Sequence, residues 1–370
     1  MKAVAVVPRT RDIRIVDHPE PKIVTPVDVK LRVLEVGVCG TDKEISSFEY
    51  GTPPQGSDYL VLGHESLAEV VEVGPEVAHY RPGDLAVAMV RRPCREAHCL
   101  PCRAGRQDFC STGGFTERGI KETHGFMTEF VVEQEPYLIP VPRALREVAV
   151  LVEPLTIAEK AIAQLKLVQQ RLPWTWPPPH ERPVGSAPNA VVLGAGPVGL
   201  LGAMALVAAG FNTYVYSRSQ LPNPKAEVAA AIGATYVSSE AESVDQLANR
   251  IGNIDVVFEA VGSSELAFEL ITVLGTNGIF ILTGVPRLRA PAPVETDRIM
   301  KNLVLKNQLL LGTVNAGRDT FAAAVQDLGA FMRRWPQALR SLITGRYPAE
   351  AFRDVVSGRT GGIKEVITMA

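Results

Sequence analysis

The stretch Ala190-Val191-Val192-Leu193-Gly194-Ala195-Gly196-Pro197-Val198-Gly199 constrains this chain more than any other. Ala190 to Leu193 is an apolar run of strand length. Glycines then follow in the spacing G-x-G-x-x-G, and Leu200 to Gly210 is a helix-length apolar segment closed by a glycine. Strand, tight turn and helix in this order are the context in which that spacing marks a dinucleotide-binding turn. Gly194 permits the turn, Gly196 lets a pyrophosphate approach the backbone, and Gly199 lets the helix lie close on the strand. The helix N-terminus offers N–H groups and a positive dipole end to phosphates. Gly194, Ala195, Gly196, Pro197, Val198 and Gly199 are therefore candidate cofactor-binding residues. The run from Ala190 to Phe211 also has the length of a membrane span, about 20 apolar residues. Its early glycines and Pro197 are poor helix formers, and no second span follows.

A ladder of elements continues from this point. Thr213–Ser217, Thr235–Val237, Ile254–Glu259, Gly278–Leu282 and Gln308–Gly312 read as strands, and Pro224–Gly233 and Ser263–Leu274 as helices. Alternation of this kind predicts a parallel, doubly wound sheet. An NAD-specific fold places an acid about 20 residues past the glycines, on the ribose 2′-hydroxyl. Here the second strand ends Ser217-Arg218-Ser219, with no acid. Arg218 can meet a 2′-phosphate with a charge-assisted bond, and the serines can add hydroxyls. The expectation is NADP, with NAD also accepted. Thr313, Asn315 and Lys364 complete the candidate cofactor contacts.

The 370 residues suffice for two domains, and the net charge of −2 gives nucleic acid or an anionic membrane no purchase. No basic segment followed by an apolar one opens the sequence, which points to a cytoplasmic protein. Its cysteines are then metal ligands or free thiols rather than disulfides. The first part alternates β-rich runs (Ala3–Val7, Val29–Val36, Phe126–Val132) with Gly and Pro turns, predicting a small barrel. Val148–Leu167 reads as a helix, and the proline-rich segment Leu172–Pro188, with two tryptophans, as a linker. Tyr347–Ile367 returns to short strands, so the chain's end is expected to rejoin the first domain. The expected domains are 1–187, 188–315 and 316–370.

Cys94, Cys99, Cys102 and Cys110 crowd one short, charged loop in the spacing C-x4-C-x2-C-x7-C. Four thiolates can close a tetrahedral Zn²⁺ site with no open position, which makes it structural. Reduced cysteines without metal usually pack in apolar surroundings, and this loop carries Arg91, Arg92, Arg95, Glu96, Arg103, Arg106 and Asp108 instead. The fifth cysteine, Cys39, ends an apolar strand, and His64 and Glu65 follow another. Alone, that pair of turns means little.

Taken in order, Gly37-x-Cys39-Gly40-Thr41-Asp42, Gly63-His64-Glu65, Val73-Gly74, Gly83-Asp84, the cysteine loop and the late glycine turn resemble the zinc-containing medium-chain alcohol dehydrogenase family. The resemblance spans nearly the whole chain. Within that family, Val90-Arg91-Arg92, Glu117-Arg118-Gly119-Ile120, His124-Gly125-Phe126-Met127, Glu153-Pro154-Leu155, Glu159-Lys160 and Gly312-Thr313-Val314-Asn315 are similar to the archaeal-type glucose (aldose) 1-dehydrogenases. The resemblance implies an α/β chain: a GroES-like, β-rich catalytic domain plus a Rossmann doubly wound parallel sheet. It implies a catalytic zinc on Cys39, His64 and a carboxylate, Glu65 or Glu153 or both. Thr41 would bond the reacting hydroxyl, and Glu117, Glu153 and Asn315 would hold sugar hydroxyls. There are departures. Two extra residues follow Cys94, Ala68 replaces a glycine, and Val90 and Ile157 stand where some members carry a sugar-binding asparagine and an aspartate.

The expected activity is oxidation of an aldose such as glucose or galactose at C1, giving the lactone and NADPH. Zinc favours the alkoxide as a Lewis acid, and Asp42 is a candidate partner orienting His64. Rivals are a polyol, threonine or simple alcohol dehydrogenase of the same family, and a nucleotide-binding protein without turnover. The expected partners are a sugar and further copies of the chain, as dimer or tetramer, with no nucleic acid and no membrane.

Overall fold

The computed structural model describes residues 1–176, 181, 183, 185–286 and 293–369. They fall into two compact units, Met1–Thr156 with Asn315–Ala370, and Ile157–Val314.

In the first unit, β1 (Lys2–Val7) lies between β2 (Asp12–Asp17) and β4 (Leu60–Val61). The larger sheet is built on β3 (Asp28–Val38), in which buried Val29, Leu31 and Val33 alternate with Lys30 and Arg32. That period of two puts one face of the strand in the core. On one side β3 pairs β5 (Glu65–Val73), followed by β6 (Leu85–Ala88) and β11 (Leu138–Val141); β10 (Phe130–Gln134) pairs it as well. On the other side it pairs β19 (Lys364–Thr368), followed by β18 (Ile343–Pro348). The far end of the chain thus supplies an inner strand, with Val366 opposite Gly37 and Ile367 opposite Val36. A small sheet of β7 (Arg91–Arg92), β8 (Thr116–Arg118) and β9 (Glu122–Thr123) flanks the cysteine loop. The predicted strand Phe126–Val132 begins later, at Phe130, because Val4 and Leu62 take up the backbone of Met127.

In the second unit, β12 (Asn189–Leu193) lies inside a six-stranded sheet ordered β14–β13–β12–β15–β16–β17. The strands are β13 (Asn212–Ser217), β14 (Thr235–Ser238), β15 (Val256–Glu259), β16 (Ile279–Leu282) and β17 (Leu309–Gly312). All pairs are parallel. Strand order reverses beside β12, which makes its C-terminal edge the switch point where such sheets bind ligands. The glycine turn leads from β12 into α4 (Pro197–Ala208), and α5 (Pro224–Ala231) and α7 (Ser264–Val273) fall where helices are expected. Two further helices, α6 (Val244–Ile251) and α8 (Thr296–Leu305), occupy segments the sequence reading left unassigned. So does α9 (Arg318–Arg334) in the first unit.

The division between units corrects the expected boundaries at one point. It falls within α3 (Val152–Gln169), between Thr156 and Ile157, and not in the proline-rich segment. Ala158, Ala161, Ile162 and Leu165 of α3 enclose an apolar space with Gly202, Leu206, Val256, Phe258 and Ile281, so most of the helix packs on the parallel sheet. Residues 177–180, 182 and 184 of the proline-rich segment lie outside the described residues. Among those described, no helix is long and apolar enough to cross a membrane.

Candidate functional site

β3 delivers Cys39 directly into α1 (Gly40–Ser46) as its N-cap. The Cys39 sulfur accepts the Thr41 N–H at 3.2 Å, and Asp42 Oδ2 accepts the Cys39 N–H at 2.9 Å. This reciprocal cap fixes the thiol at the helix N-terminus. β5 begins at Glu65, opposite Gly37 of β3. A Cβ at position 37 would lie 2.1 Å from Glu65 Oε2, so only glycine admits that carboxylate. His64, just before β5, is buried and brings Nε2 to 3.2 Å from the Cys39 sulfur. Asp42 is fully buried and accepts the Gly63 N–H at 3.3 Å; its Oδ1 lies 3.6 Å from His64 Nδ1, near enough to orient the ring by charge but beyond a hydrogen bond.

Donor atoms of Cys39, His64 and Glu65 lie within 4.8 Å of one another. Burial opposes protonation of His64, yet the charges of Cys39 and Asp42 outweigh it and hold the imidazole well above its usual range. Desolvation, then Glu65, pushes the partly exposed Glu153 carboxyl up to about 7, against the pull of His64 and Lys364. Cys39, Asp42, Glu65 and Glu153 thus face two cationic groups, Lys364 and His64, an excess of acid that a divalent cation balances. The donor set fits zinc. Lys364, expected among the cofactor contacts, is 1% exposed and spends its ammonium elsewhere. It donates to Glu65 Oε1 at 2.8 Å, to Glu65 Oε2 at 2.5 Å and to the Val38 carbonyl at 3.1 Å. An ammonium has three donors, so none remains for a nucleotide.

The sulfurs of Cys94, Cys99, Cys102 and Cys110 also lie within 4.8 Å of one another. A backbone N–H at Cys102, followed by Ser111, draws the Cys99 thiol down to about 5; burial pushes Cys102 up to about 12. Without a cation the cluster cannot ionise evenly. A dication that favours every thiolate resolves this, and four sulfurs suit a closed zinc site.

Two candidates that are 198 positions apart meet in a second group: Asn315 Nδ2 donates to Glu117 Oε1 at 2.9 Å. Glu117 is also ion-paired with Arg91, to which the sequence reading gave no site role. Thr41 stands partly exposed in the first turn of α1. Val90 is buried and Ile157 half-buried.

At the glycine turn, Gly194 has φ +107°. A Cβ on Gly199 would meet the Gly194 carbonyl at 2.1 Å, whereas one on Gly196 would meet nothing within 4 Å. The space at Gly196 fits a pyrophosphate, and α4, with no side-chain cap, leaves its first N–H groups free for one. Ser217 ends β13, with Arg218 and Ser219 exposed beyond it. The Thr313 hydroxyl, just past β17, is buried without a partner among the described residues. Nearby, the buried Glu259 carboxylate accepts the N–H groups of Val261, Gly262 and Gly284, tying down the loops after β15 and β16. Sequence reasoning did not single out Glu259, since only the loops' return reveals its role.

Residues 25–143 match the alcohol dehydrogenase GroES-like domain, and residues 146–369 match the glucose dehydrogenase C-terminus. The chain belongs to the glucose dehydrogenase family. Over 368 residues, 99% of each chain, it is 39% identical to glucose 1-dehydrogenase of Methanocella arvoryzae. It is 36% identical over 373 residues to that of Thermoproteus tenax, again over 99% of each chain. Haloferax mediterranei glucose dehydrogenase in complex with NADP, Zn and gluconolactone superposes with a TM-score of 0.88 at 32% identity, covering 100% of this chain and 99% of that one. Glucose dehydrogenase family membership thus agrees with the resemblance read from the motifs, and with a β-rich GroES-like portion plus a parallel Rossmann sheet.

Proposed function

We propose that this chain oxidises an aldose at C1 to the lactone, transferring hydride to NADP⁺, with one catalytic and one structural zinc. The observation that carries the reading is the convergence of Cys39, His64 and a carboxylate at the ends of β3 and β5. When bound, zinc supplies Lewis acidity at the C1 oxygen and NADP⁺ accepts the hydride. Cys39 and His64 hold the metal, with Glu65 or Glu153 as the acidic ligand. Lys364 offsets the charge of Glu65 and Asp42 orients His64. Thr41 hydrogen-bonds the C1 hydroxyl, while Glu117 and Asn315 hold hydroxyls farther round the ring. Gly194 to Gly199 receive the pyrophosphate, and Ser217, Arg218 and Ser219 receive the 2′-phosphate. Cys94, Cys99, Cys102 and Cys110 hold the structural zinc.

NADP⁺ reduction with glucose, galactose, xylose, sorbitol, threonine and ethanol tests the reading. Turnover confined to the last three leaves a polyol, threonine or alcohol dehydrogenase instead.

The chain also works as a homo-oligomer. Among the described residues no strand pairs the outer side of β17, and Met300, Val304 and Leu305 of α8 are 68%, 72% and 69% exposed. An open sheet edge and exposed apolar side chains suit a second copy. Light scattering should give a dimer or tetramer, and a monomer of the parent protein overturns this.

A further inference from the structure

Arg91 is 7% exposed, and the proposed reaction leaves it without a task. Its Nε donates to Glu117 Oε1 at 3.0 Å, and its Nη2 lies 3.0 Å from the same oxygen. Asn315 Nδ2 adds a third donor to that oxygen at 2.9 Å. No described residue donates to Glu117 Oε2. A carboxylate meeting a vicinal diol ordinarily offers both oxygens; here one is saturated. The guanidinium carbon lies over the Phe115 ring, 3.7 Å from its centroid, with the Lys121 ammonium 4.4 Å from the same centroid. Its remaining arm reaches the Asp108 carbonyl at 3.4 Å, in the loop between Cys102 and Cys110. A planar cation held by these bonds and by the ring beneath it keeps one orientation.

We propose that Arg91 is a positioning residue for sugar selectivity. It withholds Oε1 of Glu117 from the substrate, so that Glu117 reads a single ring hydroxyl through Oε2. This rests on the aldose reading above. A site that pairs one hydroxyl rejects the analogue lacking it, because the buried acceptor is then left unpaired. Freeing Oε1 gives the carboxylate a second acceptor and blurs that choice.

Steady-state kinetics with glucose and its 2-deoxy, 3-deoxy and 4-deoxy analogues, in the parent, Arg91→Met and Arg91→Lys, test the proposal. In the parent, one deoxy sugar should fall well below the others, by about 100-fold in kcat/KM. In Arg91→Met that contrast should shrink to within about tenfold, the KM for glucose should rise, and the KM for NADP⁺ should hold. Arg91→Lys keeps the charge without the fork and should restore part of the contrast. A purely structural role lowers kcat/KM for every sugar alike and leaves the contrast intact, which overturns the proposal. If Arg91→Met does not fold, Arg91→Lys decides: a contrast equal to the parent's overturns it. A parent that turns over no aldose refutes the underlying reading instead, so the two failures are told apart.

Discussion

Lys364 and Glu65 form a buried ion pair in which one ammonium meets both carboxylate oxygens, at 2.8 and 2.5 Å, each side chain no more than 2% exposed. Removing one partner from such a pair strands the other's charge, which typically costs about 3–5 kcal/mol. Lys364→Met should therefore lower the unfolding free energy of the metal-depleted protein by about that amount. Adding Glu65→Gln to it should recover a good part. Denaturant titration of the double-mutant cycle measures this, and additive losses would show that the two side chains do not act as a pair.

Cys102→Ser should remove about one zinc per chain, since three sulfurs no longer close the tetrahedron. Metal analysis alongside a melting curve reads both effects. An unaltered zinc content would mean that the cysteine loop holds no metal.

Arg218 stands exposed at the end of β13, with no acid beside it in sequence. Arg218→Ala should raise the KM for NADP⁺ by about tenfold, the effect of losing one charge-assisted bond. The KM for NAD⁺ should stay within about twofold of the parent value. Equal shifts for both cofactors would remove Arg218 from the 2′-phosphate site.

His124 stacks on Tyr59, meets His18 edge-on and accepts the Val61 N–H on Nδ1 at 3.2 Å. An accepting nitrogen carries no proton, so the fold selects the neutral ring. Burial, then the charges of His18 and Arg118, lowers its pKa to about 4. The unfolded chain binds its proton near the ordinary value of about 6.5. Stability from this residue is therefore full above pH 6.5 and drains away as the pH falls towards about 4. His124→Gln should flatten the melting temperature across that window. A variant whose melting temperature drops as steeply as the parent's would place the acid sensitivity elsewhere.

The parallel sheet was legible because its signals are local. Val191 and Val192 beside Gly194, or Phe280 and Ile281 after Gly278, announce buried strands within a few residues. Helix α6 was missed although its capping box, Ser243 with Gln246, stood in the sequence; the helix is amphipathic and polar between its few buried positions. The four-cysteine loop was legible in its spacing, whereas the set around Cys39 was legible mainly through family resemblance, since Cys39 and His64 gain meaning only when β3 and β5 pair. Lys364 was misjudged for a related reason. It lies 299 positions from Glu65, and no local pattern tells a buried lysine's partner. Arg91 was visible but mute, because its task emerges only when β7 and β8 bring it against Glu117.

The place of β19 beside β3 has a consequence for synthesis on the ribosome. Lys364 bonds the Val38 carbonyl across 326 positions, and the strand carrying it is made after the whole of Ile157–Val314. The parallel sheet can therefore fold while its host is still missing an inner strand. Closing so long a loop is slow and is rewarded only at the end. The nascent chain acquires its nucleotide-binding half first. Only afterwards does it gain the lysine that lets Glu65 sit buried beside Cys39 and His64, so that carboxylate finds its partner in the last moments of folding.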